Sequence, residues 1–189
     1  GAPKLARMEI IAISEGQARI QAFLGGQTDM YRYVTAQERV LLDRSDKYNV
    51  QVIPTGNWRG LVFRTDVEPF TDARVRKAVR LAADRQEIVD LVYGGGAVVA
   101  CDTPVEPNDQ YRADLKCPQD IEQAKALLAE AGYPNGFDFL MTVNGNYAEV
   151  GKAVAGELRK VGIRAKIEFP PPSTAKKRRG RGELTTYLA

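Results

Sequence analysis

Residues 137–169 read FDFLMTVNGNYAEVGKAVAGELRKVGIRAKIEF, and this stretch decides the fold. Phe137, Phe139, Met141 and Val143 alternate with Asp138 and Thr142, the period of two of a half-buried strand. Val150, Val154, Leu158 and Val161 then recur at helical spacing, and Gly162 ends that helix. Ile163, Ala165, Ile167 and Phe169 alternate with Arg164, Lys166 and Glu168 in a second strand. Pro170-Pro171-Pro172 forbids its continuation. Strand, helix and strand make one βαβ unit whose strands run parallel in a common sheet, so the architecture is α/β.

Upstream, Asp120 and Gln123 open a helix with Ile121, Ala124, Leu127, Leu128 and Ala131 inward, and Gly132 with Pro134 stops it. Residues 97–119 carry Pro104, Pro107 and Pro118 without a clear period and read as a long loop. Val75, Ala78, Val79 and Ala82 mark a helix over 73–83, with Asp72 as its N-cap. Asp84 caps the next helix, with Ile88, Leu91 and Val92 inward and Gly94 to Gly96 as its stop. Strands are expected at 8–13, 49–53 (closed by Pro54) and 60–64, and a strand or extended entry at 28–34. A helix spans 15–24. A second begins at the capping box Thr35 to Glu38, with Val40 and Leu41 inward. No internal repeat is visible.

Composition narrows the function. The chain has 189 residues, 44% hydrophobic and 27% charged, which is ordinary globular composition. No apolar run approaches the roughly 18 residues of a membrane-spanning helix. There is no histidine, so a Ser-His-Asp triad, a Cys-His pair and a His-containing zinc site are excluded. Two cysteines cannot build a four-thiolate cluster. No phosphate-cradling GxxxxGK[ST] loop is present, and Gly94-Gly95-Gly96 lacks dinucleotide spacing. The chain is therefore expected to be no enzyme and to hold no cofactor or metal. The net charge of +3 is concentrated in Lys176, Lys177, Arg178, Arg179 and Arg181, opposed locally by Glu183. A nucleic-acid binder would more often spread its charge and interleave aromatics, so the run reads as a solvated loop or helix face. Nucleic-acid binding through 176–181 is kept as an alternative, beside a stand-alone α/β interaction module.

Two longer stretches carry a resemblance. Pro69-Phe70-Thr71-Asp72-Ala73-Arg74-Val75-Arg76-Lys77-Ala78, followed by 82–89 (AADRQEIV), is one. Residues 120–136 (DIEQAKALLAEAGYPNG) are the other, supported by 24–30 (LGGQTDM) and 157–163 (ELRKVGI). In this order, over about residues 8–169, the chain resembles the family 5 extracytoplasmic solute-binding proteins of ABC importers, the dipeptide, oligopeptide and nickel group. Members are longer and fold as two lobes joined by a hinge, with the ligand trapped between them. The resemblance implies a type II periplasmic-binding-protein-like fold and a central fragment of the two-lobe clamshell. Residues 1–58 would belong to lobe one and 59–189 to an incomplete lobe two, with a hinge strand near Trp58 to Phe63. In relatives, 170–189 is usually an amphipathic helix; here it is Pro-rich and then Lys/Arg-rich.

The resemblance further implies a peptide or related small solute as ligand, an ABC permease in the membrane as partner, and a monomeric, exported protein working in the periplasm or its extracytoplasmic equivalent. Gly1-Ala2-Pro3-Lys4 lacks the apolar stretch of a signal peptide. A peptide site needs hydrogen-bonding groups, counter-charges for termini and pockets for side chains, on loops at strand ends. Three stretches qualify: Tyr31-Arg32-Tyr33, Asn57-Trp58-Arg59, and Asn144-Gly145-Asn146-Tyr147 at a strand's carboxyl end. The candidate contacts are Tyr31, Arg32, Tyr33, Trp58, Asn144 and Tyr147. Each has a plainer reading: Tyr33 as core packing, Trp58 as a hinge plug, Asn144 and Asn146 as turn formers. Asp72, Arg74, Arg76, Asp84 and Arg85 read as caps and ion pairs rather than ligand contacts. An extracytoplasmic location favours a Cys101–Cys117 disulfide, with two free buried thiols as the alternative.

Overall fold

The computed structural model describes residues 4–13, 16–53, 55–106 and 108–188, which divide into two units, Gly1–Gln51 and Val52–Ala189. Glu15, Pro54 and Pro107, read above as a helix start, a strand stop and a loop proline, lie outside the described residues. So do residues 1–3 and 189.

In the first unit, α1 (Gly16–Leu24) buries Ile20 and Ala22. Helix α2 (Ala36–Leu42) opens on the expected capping box: Thr35 Oγ1 accepts from the Glu38 amide, and the Thr35 amide donates to Glu38 Oε2 at 2.7 Å. Its inward residue is Leu42, while Val40 and Leu41 are exposed. With about 100° per residue, turning Leu42 inward points Val40 away. The strands expected over 8–13 and 49–53 do not form among the described residues, and Met8, Ile10, Val52 and Ile53 are exposed. Strand propensity describes fit to a pleated, half-buried surface, and without a ladder partner it leaves only extended chain. Residues 28–34 likewise form no strand and bend at Asp29 and Tyr33.

The second unit holds β1 (Leu61–Phe63), α3 (Ala73–Ala82), α4 (Arg85–Tyr93), α5 (Ile121–Glu130), β2 (Asp138–Val143), α6 (Ala148–Arg159), β3 (Arg164–Glu168), α7 (Pro172–Gly180) and β4 (Thr186–Leu188). Three aspartates place the helix starts. The carboxylates of Asp72, Asp84 and Asp120 accept from the amides of Arg74, Glu87 and Gln123 at 2.7, 2.9 and 2.8 Å. Arg74 also pairs with Asp72 at 2.6 Å, and Arg76 donates to the carbonyls of Phe70 and Thr71.

The sheet order is β1-β4-β2-β3. β2 and β3 pair in parallel, as expected. β4, which the sequence did not announce, lies parallel to β2 and antiparallel to β1. The chain moves one way from β2 through α6 to β3, then back through α7 to β4. Right-handed crossovers in opposite directions require helices on opposite faces. On one face Val143 meets α6 at Gly151. Met141, Val143, Phe70, Val75, Ala78, Leu128 and Leu158 belong to the buried core. On the other face Thr142, expected to be solvated, is buried: its hydroxyl donates to Glu168 Oε1 at 2.6 Å, and Arg178 of α7 donates to the same oxygen at 2.7 Å. Phe169, expected inward, lies past the last rung of β3 and is half exposed. In α4, Val89 is the buried residue and Leu91 is exposed.

The basic run is thus a helix with Pro172 in its first turn, and it is not uniformly solvated. Lys176, Lys177 and Arg179 are exposed, but Arg178 is half-buried against Glu168. Converting Lys176, Lys177 and Arg179 to Gln is expected to move stability by less than about 0.5 kcal/mol, whereas Arg178→Gln should cost about 1–2 kcal/mol. Burial raises the Glu168 carboxyl pKa, but the Thr142 hydroxyl and the Arg178 guanidinium together outweigh it and hold it below the usual value. A carboxylate with a depressed folded pKa contributes stability at neutral pH and loses it as pH falls through and below about 4.3. Urea titrations at neutral and acid pH should therefore show a shallower acid loss for Arg178→Gln than for wild type. Equal slopes would contradict the ion pair.

Two further contacts lock the unit. The loops entering β2 and β3 cross at Gly136 (φ +71°) and Gly162 (φ +83°), where a β-carbon on Gly136 would collide with the Gly162 carbonyl. Glu157, on α6, is buried. Its Oε2 accepts from the Asp84 amide at 2.8 Å and from Gln119 Nε2 at 3.0 Å, and its Oε1 meets Lys160 Nζ at 2.6 Å.

Cys101 and Cys117 are joined by a disulfide with Cα atoms 5.3 Å apart. It closes the proline-rich loop, where Asp102 pairs with Arg80 and Arg85. Replacing both cysteines by serine is expected to lower stability by about 3 kcal/mol, the chain-entropy figure for a loop of roughly 15 residues. The check is chemical unfolding of the double variant, with a thiol titration of denatured, unreduced wild type. Two reactive thiols there would refute the pairing.

Candidate functional site

Because β2, β3 and β4 are parallel, their carboxyl ends share one edge of the sheet, and antiparallel β1 brings its amino end to the same edge. The register aligns Leu61, Leu188 and Val143 in one row. The residues just before 61 and just after 143 therefore meet at this rim, on strands two places apart, roughly 10 Å. This is how the fold brings together two stretches far apart in sequence.

Before β1, Trp58 is half exposed, and its ring folds back over Gly60, where a β-carbon would lie 2.5 Å from the indole Cζ3. Arg59 Nη1 donates to the Trp58 carbonyl at 2.9 Å. The Arg59 guanidinium carbon lies 4.2 Å from the centre of the Tyr147 ring, a cation–π stack across the end of the sheet. After β2, Asn144 Oδ1 accepts from the Asn146 amide at 3.0 Å, and the Asn144 carbonyl accepts from the Tyr147 amide at 2.8 Å. These bonds shape the 3-10 turn Gly145–Tyr147 that leads into α6. Asn144 therefore makes the turn with its side-chain oxygen. Tyr93, at the end of α4, completes the cluster. Burial raises its phenol pKa, the Arg59 charge pulls it down, and Tyr147 adds a smaller upward push. Its hydroxyl is thus a neutral donor at physiological pH.

Trp58, Asn144 and Tyr147 accordingly share one rim, linked by Arg59. Tyr93 was not singled out in the sequence; its only signal is an aromatic residue directly before the helix-ending Gly94. Tyr31, Arg32 and Tyr33 lie in the other unit. The Tyr31 hydroxyl donates to Glu38 of the capping box at 3.0 Å, and its ring lies 6.0 Å from that of Phe23. Burial, and then Glu38, raise its pKa. Tyr33 is exposed, with φ +67°, and carries the Arg32 guanidinium 4.6 Å above its ring, so it is not a core residue.

The rim has donors, a fixed cation and aromatic surface. It presents no nucleophile–base pair, and no group of three or more metal-ligating side chains occurs among the described residues. Donors, a cation and aromatic surface together are groups that can hold a solute.

The family described as bacterial extracellular solute-binding proteins, family 5, middle region, matches residues 1–189. The chain belongs to this family. Among family 5 relatives, heme-binding protein A of Haemophilus influenzae is 28% identical over all of this chain and 36% of that protein. Two solved structures share the fold. The binding protein AgaA of A. tumefaciens R10, in complex with agropinic acid, is 27% identical with a TM-score of 0.79, covering 94% of this chain and 37% of that one. DppA from Helicobacter pylori, a periplasmic binding protein in complex with the peptide STSA, is 25% identical with a TM-score of 0.76, covering 94% and 35%. The α/β fold is that of periplasmic binding proteins, and the chain spans about a third of the length of the relatives it matches.

Proposed function

We propose that this chain forms part of the solute-capturing subunit of an ABC importer, one that takes up peptides or related small solutes. The observation that carries this reading is the match of every residue to a family of extracellular solute-binding proteins. The rim of Trp58, Arg59, Asn144 and Tyr147 supports it, because it sits at the strand ends where α/β sheets receive ligands. The relatives named above include a protein solved with a peptide and one solved with a small organic acid. In the complete protein, residues 1–58 contribute to one lobe and 59–189 to the other. Tyr31, Arg32 and Tyr33 are further candidate contacts, in the unit Gly1–Gln51. Closure is driven by ligand contacts available only when the lobes meet. The protein works outside the cytoplasm as a monomer, delivers its solute to a membrane permease, and catalyses no reaction. Mass spectrometry of the solute that co-purifies with the full-length protein is the test. A peptide or small solute released on denaturation is expected. An empty protein that takes up no di- to pentapeptide in calorimetry would overturn the reading.

A further inference from the structure

We propose that Arg59, set over the ring of Tyr147, is the point at which this sheet edge takes a free carboxylate of the solute. This rests on the solute-binding reading and narrows its ligand class to peptides with a free carboxyl terminus.

The argument starts from how the half-buried arginines of the second unit are satisfied. Arg64, Arg85 and Arg178 each face a carboxylate: Asp66, Asp102 and Glu168. Arg76 and Arg112 each donate to two carbonyls. Arg59 has one carbonyl, that of Trp58, and one aromatic face, with no carboxylate partner among the described residues. A guanidinium has five N–H donors in a planar fork, so most of the Arg59 donors remain for a ligand. The contact with the Tyr147 ring holds the guanidinium at this edge, and a carboxylate is bound bidentately by such a fork. Half-exposed Trp58 offers apolar surface for the carbon chain next to the carboxylate.

The test uses the full-length protein and matched di- to pentapeptides, one series with free carboxyl termini and one as terminal amides. Isothermal titration of wild type, Arg59→Gln and Arg59→Lys reads affinity. Free acids should bind wild type about 10- to 100-fold more tightly than amides, the range of one charge-assisted hydrogen-bonding contact. Arg59→Gln should erase that preference. Arg59→Lys should restore only part of it, because an ammonium lacks the fork. Acid and amide binding wild type equally would overturn the carboxylate anchor and leave the peptide reading standing. Neither series binding would overturn the peptide reading, and the anchor with it. The acid-against-amide comparison on wild type needs no variant, so a misfolded substitution cannot mask the outcome.

Discussion

Gly136→Ala is expected to remove about 4 kcal/mol of stability, enough to unfold many domains of this size at physiological temperature. Two costs combine. The left-handed backbone at φ +71° penalises any residue with a β-carbon by about 1–2 kcal/mol. The new methyl would also run into the Gly162 carbonyl, and forcing atoms into a filled site costs typically 1–3 kcal/mol. Neither chain can step aside easily. Residue 162 is itself left-handed, and a β-carbon there would stand 3.0 Å from the Asn135 carbonyl oxygen. Arg164 adds a clamp, with its Nη1 donating to the carbonyls of Asn135 and Gly162. Urea unfolding of the variant checks this. A loss below about 1 kcal/mol would mean that the loops separate freely and that the crossing is not a constraint.

The second large effect is expected at Glu157→Ala, also about 4 kcal/mol, because it strips partners from groups that cannot turn to water. The Asp84 amide would lose its acceptor, Gln119 Nε2 would keep only the Ala82 carbonyl, and Lys160 would lose one of its two carboxylates. Helix α6 would lose its polar tie to the link between α3 and α4. Glu157→Gln keeps the shape and one acceptor oxygen but turns its amide toward either the donors or Lys160, so an intermediate loss is expected. Comparing the two variants by chemical denaturation separates the tie from simple side-chain removal. If both lose the same small amount, the carboxylate is not bridging.

The elements legible in the sequence were those specified locally. Helices α3 and α5 carry both a capping aspartate and an apolar stripe, and the inward residues of α3, Val75, Ala78, Val79 and Ala82, are all buried. The pair β2 and β3 was legible because alternation, helix and alternation leave one connection. Glu157 was overlooked because a charged residue on a helix reads as solvated. Its place gave it away, three residues after Val154 and seven after Val150, on the apolar stripe. Strand β4 was illegible for another reason. Thr186 and Leu188 are buried, but only because β1 and β2 arrive on either side, and the basic run before them suggests a solvent face. The converse error at 8–13 and 49–53 has the same origin, since strand-like sequence becomes a strand only where a partner exists. Trp58, Asn144 and Tyr147, named from the sequence by the rule that ligands favour strand ends, lie at one rim. The sequence could not supply the contact of Arg59 with Tyr147, which depends on β4 spacing the two outer segments.

Three residues, Thr186 to Leu188, hold the sheet of this unit together, since β1 pairs with β4 alone and β4 alone connects it to the β2–β3 pair. During synthesis β2, α6 and β3 can assemble as soon as they emerge, whereas β1, made much earlier, must wait for almost the last described residue before it has a neighbour. The entropy of closing so long a loop grows only by about 0.6 kcal/mol per doubling of length, so the delay is a matter of time more than of stability. Until that moment an apolar strand edge stays open to any other chain. Ribosome pausing or truncation just before residue 186 would therefore leave not a smaller folded unit but an aggregation-prone one, with the rim of Trp58, Arg59 and Tyr147 not yet assembled.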